Sequence, residues 1–136
     1  MANDSERREA PQVVLVAAAW QSRALIRAQL IEDGFDVVAT DTWPMARRWL
    51  RPGSKPRLVI VDLEELPDAE RVLHDLSALM KPHRVLVLTG IGTVSPAEIE
   101  RLGFQAVRRP VAIEHVVQAA AAIVRSQASD KRRTAR

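Results

Sequence analysis

Arg57-Leu58-Val59-Ile60-Val61-Asp62 runs four consecutive apolar residues, mostly β-branched, directly into a carboxylate. A strand covered on both faces shows an unbroken apolar run in place of alternation, so this stretch reads as a central strand of a parallel sheet. In open α/β sheets, ligands gather just beyond the carboxyl ends of such strands. Asp62 therefore stands where chemistry is expected, and the rest of the chain is read for what surrounds it.

Upstream, Val13-Val14-Leu15-Val16-Ala17-Ala18-Ala19 is another buried strand. From Gln21 to Asp33 the apolar positions Leu25, Ile26, Leu30 and Ile31 recur at helical spacing, and Gly34 supplies the left-handed residue that commonly ends a helix. Phe35 to Ala39 is a short strand, and Thr42-Trp43-Pro44 starts a helix that runs through Trp49 and Leu50 to stop before Pro52-Gly53. Downstream, Glu64 to Asp68 is a loop, and Ala69 to Met80 is a helix with Val72, Leu73, Leu76 and Leu79 on one face. Val85-Leu86-Val87-Leu88 then delivers Thr89-Gly90 to the same sheet edge as Asp62. Ser95-Pro96-Ala97-Glu98 is a capping box that opens a short helix to Leu102. Phe104 to Arg108 is the fifth strand, and Ile113 to Val124 is the last helix, with Val116, Val117, Ala120 and Ile123 inward.

Five strands alternating with five helices require right-handed crossovers and a parallel sheet covered on both faces. The expected fold is flavodoxin-like: a three-layer α/β/α sandwich with a five-stranded parallel sheet in the order 2-1-3-4-5. That order gathers Ala17-Ala18, Asp62, Thr89 and Arg109-Pro110 around one crevice.

The chain of 136 residues accommodates one domain, expected over residues 12–125, between a disordered N-terminal segment (1–11) and a disordered basic tail (126–136). The absence of cysteine excludes disulfides and thiol chemistry. No apolar run approaches the roughly 20 residues of a membrane span, and the polar start has no signal-peptide core, so the expectation is a cytoplasmic protein. From Ser126 to Arg136 four cations face one acid, which accounts for the whole formal charge of +3. Nucleic acid is thus expected as a partner only through that tail. His74, His83 and His115 have no metal-ligand spacing and read as surface residues. Of the tryptophans, Trp49 is expected in the core and Trp20 at the mouth of the crevice as a contact residue.

The residues at the crevice, with their spacing, resemble the receiver domain of two-component response regulators from about Gln12 to Arg125. The resemblance implies Asp62 as phosphoacceptor, Thr89 as the phosphate-contacting hydroxyl after the fourth strand, and Pro110 as the proline of the family's Lys-Pro pair. The lysine of that pair is Arg109 here, and the acidic pair that holds Mg²⁺ in the family is Ala17 and Ala18. There is one residue more between Asp62 and Pro67 and one fewer between Gly103 and Pro110, and Ala106 stands near the family's switch aromatic.

Magnesium needs carboxylate anchors, and phosphoryl transfer to Asp62 needs the metal to neutralise charge on the equatorial oxygens. Losing the acidic pair should weaken Mg²⁺ binding by at least ~10 to 100-fold, so no cofactor is expected, with Glu64 or Glu65 as the only nearby replacement ligands. Arg109 has two readings: it pairs bidentately with Asp62 and holds one conformation without phosphate, or it lies along the surface and contributes well under ~1 kcal/mol. Trp20, Glu64 and Pro110 complete the expected lining of the crevice with Ala17 and Ala18.

Three function classes follow. The first is a stand-alone receiver-like domain in a phosphorelay, a non-enzymatic module that meets a histidine kinase or phosphotransfer protein and a downstream signalling protein, with a homodimer open to it. The second is a phosphorylation-independent pseudo-receiver adaptor with the same fold. The third, a flavin or nucleotide enzyme, lacks any phosphate-cradling glycine loop in Ala17-Ala18-Ala19-Trp20-Gln21-Ser22 and ranks last.

Overall fold

A computed structural model describes residues 11–90 and 92–134, with side chains as far as Gln127. Its five strands are β1 (Val13–Ala17), β2 (Val37–Thr40), β3 (Leu58–Asp62), β4 (Val85–Thr89) and β5 (Gln105–Arg108). The helices are α1 (Trp20–Glu32), α2 (Trp43–Arg47), α3 (Ala69–Leu79), α4 (Pro96–Arg101) and α5 (Ile113–Thr134). All strand pairs are parallel and the order is β2-β1-β3-β4-β5, as the alternation of elements predicts.

The sheet is buried on both sides because its strands alternate between two apolar faces. Val14, Val16, Val59, Val61, Val85 and Val87 point to one side, where Trp43, Ala46, Leu73, Leu76 and Ile99 from α2, α3 and α4 cover them. Val13, Leu15, Leu58, Ile60, Leu86 and Leu88 point to the other, under Ile26 and Leu30 of α1 and Val116, Val117 and Ala120 of α5. Each such side chain removed from water contributes about 1.5–3 kcal/mol, which is what fixes the three layers.

Several local expectations are corrected. In α1 only Ile26 and Leu30 face the sheet, while Leu25 and Ile31 are exposed, because neighbours in sequence lie about 100° apart on a helix and one of each pair must turn outward. The helix α2 ends at Arg47, and the next turns carry Trp49 outward and Leu50 inward. Trp43, not Trp49, is the core tryptophan: it lies at the inward spacing of Trp43, Ala46 and Leu50, and its indole N–H donates to Asp75 Oδ2 at 3.0 Å. The disordered tail expected from Ser126 is helical backbone as far as Thr134, since no Gly or Pro interrupts Ser126 to Thr134 and Gln, Ala, Lys and Arg favour helix. The N-terminal segment 1–10 lies outside the described residues. His74, His83 and His115 are all exposed, as expected.

The turn from α4 into β5 is closely fitted. Gly103 has a φ of +90°, and a Cβ added there would come within 2.9 Å of the Pro82 Cβ. Gly103→Ala should therefore destabilise the fold by about 1–3 kcal/mol, read as a lowered denaturant midpoint at constant slope.

Candidate functional site

The carboxyl ends of the strands converge as the order requires. Ala17 lies beside Asp62 in the β1–β3 register, and Thr89 beside Arg108 in β4–β5. The ladder then runs one step past the strands: the Leu63 N–H donates to the Leu88 carbonyl at 2.9 Å, and the Arg109 N–H to the Thr89 carbonyl at 2.7 Å. Backbone bonds thus fix Arg109 two strands away from Asp62. A Cβ added at Gly90 would stand at van der Waals distance from the Arg109 stem.

The guanidinium reaches both oxygens of the Asp62 carboxylate. Nε donates to Oδ1 at 3.3 Å and Nη2 pairs with Oδ2. The Glu64 backbone N–H donates to Oδ1 at 3.0 Å as well. The Asp62 side chain is 1% exposed and that of Arg109 22%, so the pair is largely withdrawn from water. A carboxylate buried to that degree requires a partner cation and hydrogen bonds, and here it has both. The Glu64 carboxylate stands 3.3 Å from Arg109 Nε on the exposed side, and Ser22 Oγ is 3.5 Å from Nη2.

A second guanidinium occupies the end of β1. Arg23 Nη1 donates to the carbonyls of Ala17 at 2.8 Å and Ala18 at 3.3 Å. Sequence reasoning missed Arg23 and Ser22; the signal was an arginine six residues past the strand end, within the first turn of a helix whose N-cap residue, Ala19, makes no side-chain cap bond.

Thr89 is buried, and its hydroxyl is engaged by the loop between β4 and α4. Its hydroxyl donates to the Val94 carbonyl at 2.5 Å and shares a hydrogen bond with the Thr93 hydroxyl at 2.6 Å, while Thr93 Oγ1 also accepts from the Gly90 N–H at 3.1 Å. The structure therefore brings together Asp62, Arg109 and Glu64, with Ala17 and Ala18 bordering them, and leaves Thr89 occupied by the β4–α4 loop. Trp20 is 66% exposed and Pro110, joined to Arg109 through a cis peptide bond, is exposed too, so neither closes a pocket over Asp62. A cleft of about 640 Å³ opens elsewhere, between the start of α3 and the β4–α4 loop, lined by Asp68, Glu70, Arg71, Thr93 and Glu98 among others.

The donor set does not fit Mg²⁺. Both Asp62 oxygens are engaged by protein donors, methyl groups stand at positions 17 and 18, and the carbonyls there already accept from Arg23. Among the described residues no group of three His, Asp or Glu side chains could hold a metal ion. Two guanidiniums supply the positive charge that a dication would bring to such a crevice.

A central carboxylate stands at the end of β3, flanked by β1, β4 and a cationic residue followed by proline after β5, at the carboxyl edge of a five-stranded parallel sheet. No protein-family model matches the chain, and no curated protein does. Solved structures do. A signal receiver domain from Vibrio parahaemolyticus is 25% identical at a TM-score of 0.70, over 88% of this chain and 95% of that one. A response regulator receiver domain protein from Clostridium thermocellum is 20% identical at 0.71, over 85% and 94%. A structure described as an adenylate cyclase from Rhodopirellula baltica is 18% identical at 0.68, over 91% and 96%. The chain has the fold of response regulator receiver domains.

Proposed function

We propose that the chain is a pseudo-receiver: a cytoplasmic, non-enzymatic, response-regulator-like module that signals by protein–protein contact and does not use Asp62 as a phosphoacceptor. The observation that carries this reading is the bidentate hold of Arg109 on both Asp62 oxygens. A carboxylate must present a free oxygen in line with the phosphorus to accept a phosphoryl group, and the departing charge must be neutralised. Both Asp62 oxygens are held by the Arg109 guanidinium, and the acidic pair that would recruit the metal is replaced by Ala17 and Ala18. Among the described residues no helix is long and apolar enough to cross a membrane. A module of this kind acts on a partner such as a histidine kinase, a phosphotransfer protein or a downstream signalling protein.

A second reading, phosphorylation at Asp62 in a phosphorelay, is favoured by one observation. Glu64 lies 3.3 Å from Arg109 Nε and can take the guanidinium in exchange, which would free Asp62 for a phosphoryl group contacted by Thr89. Incubation with a small-molecule phosphodonor and Mg²⁺, followed by intact mass, separates the two. The expected result is no phosphoryl mass on the wild type or on Asp62→Asn, under conditions that label an ordinary receiver. Addition to the wild type alone overturns the pseudo-receiver reading.

A further inference from the structure

We infer that the end of the domain opposite Asp62 is a binding surface for the phosphate backbone of single-stranded nucleic acid. Residues 51–61, 76–97 and 115–129 contain no acidic residue. The topology brings their basic parts to one place, the amino-terminal ends of β3 and β4 and the carboxyl-terminal ends of α3 and α5. Gln127 of α5 donates to the Arg57 carbonyl at 2.8 Å, and Lys55 Nζ donates to the Leu79 carbonyl at the end of α3. Lys55, Lys81 and Arg84 line a single cleft of about 410 Å³ whose apolar wall is Leu79, Met80 and Pro82.

The cations of this surface lack anionic partners. Neither Lys55, Arg57, Lys81, Arg84 nor Arg125 enters an ion pair among the described residues, whose ion pairs all lie elsewhere. Arg84 Nε is buried and makes no hydrogen bond among those residues. Arg84 lines the cleft with a guanidinium charge that no carboxylate answers among the described residues. The acids at this end are Glu32, Asp33 and Asp36, at the end of α1 and the start of β2 at the edge of the sheet, and Glu100 at the end of α4; none of them lines the cleft, and none pairs with its cations among the described residues.

Two features select the class of anion. The cations come from separate segments spread over the end of the sheet, which suits a row of phosphates better than one small anion. Trp49, 41% exposed, sits in the segment that leads to Arg51 and Lys55, and offers an aromatic face on which an unpaired base can stack. The last described turn of α5 presents Arg125 and Ser126 to solvent and commits Gln127 to Arg57, adding polar and cationic surface to this end. The helix backbone continues to Thr134 through Asp130, Lys131, Arg132 and Arg133, a net two positive charges on the same end.

The proposal does not depend on the state of Asp62. Its test is fluorescence anisotropy of the full chain with labelled oligothymidylate and oligouridylate at about 150 mM salt, alongside sedimentation with phosphatidylserine vesicles. The combined variant Lys55→Glu, Lys81→Glu, Arg84→Glu should bind at least ~30-fold more weakly, and the slope of log affinity against log salt should fall by about 2 for three lost phosphate contacts. A control with the same net charge, Arg27→Glu, Arg71→Glu, Arg108→Glu, should change affinity by less than about threefold. Where circular dichroism shows that the charge reversal has unfolded the domain, Lys55→Gln, Lys81→Gln, Arg84→Gln carries the same comparison. Equal loss in cleft and control variants, no binding by the wild type, or binding to vesicles without binding to oligonucleotide each overturns the proposal.

Discussion

Arg109→Ala is expected to lower the unfolding free energy by about 3 kcal/mol, because it leaves the Asp62 carboxylate buried with a single backbone N–H as partner. For a chain of this size that is a fall in Tm on the order of 10 °C. Asp62→Asn should be milder, about 1 kcal/mol, since it removes the charge that needs compensation and leaves Arg109 free to turn to Glu64. The double variant should then lose less than the sum of the two, with a coupling energy of about 2 kcal/mol from denaturant unfolding of all four proteins. A loss below about 0.5 kcal/mol for Arg109→Ala, with no coupling, would mean that the guanidinium behaves as an exposed charge and holds nothing. The pseudo-receiver reading would lose its main support with it.

The second large effect is a gain. The variant Ala17→Asp, Ala18→Asp, Arg109→Lys should acquire Mg²⁺ binding and Mg²⁺-dependent phosphoryl addition at Asp62, neither of which is expected of the wild type. In chelator the variant should be less stable than the wild type by several kcal/mol, on the order of what an unpaired buried carboxylate costs, because Ala17 is fully buried beside Asp62 in the sheet register. Magnesium binds only the folded form and should return about 2.7 kcal/mol at a hundred times its Kd. Thermal melts with and without the metal read the first effect, and intact mass after phosphodonor treatment reads the second. Should neither appear, the missing acids are not what separates this domain from a working receiver, and the Thr89–Thr93–Val94 arrangement becomes the obstacle to examine.

The fold was legible because its strongest signals are local. Apolar runs such as Leu58 to Val61 and Val85 to Leu88 can be satisfied only by burial on both sides, and that alone dictates helices on both faces. Which residues stand at the carboxyl edge of the sheet was equally legible, since strand order puts the last residue of each strand there. What did not follow was where side chains turn. Whether Thr89 faces Asp62 or the loop depends on the Val94 carbonyl, five residues on, and no pattern in the sequence encodes that geometry. The role of Arg23 was hidden for a related reason: a long flexible side chain can reach carbonyls five or six residues back, and spacing rules describe only rigid neighbours. Trp49 was expected in the core, where Trp43 lies instead, because α2 is barely more than one turn, too short for periodicity to say which face is inward. The α5 boundary was misplaced because residues past Val124 have nothing to bury, yet carry nothing that stops a helix either.

A receiver whose carboxylate waits empty works as a timer: it is switched on by a covalent event and resets at the rate of hydrolysis. With Asp62 already held by a cation from its own chain, that clock has no hands. On the proposed reading, the only quantities left to vary are how many copies of the protein exist and how many of them meet a partner, so its message is carried by synthesis and degradation.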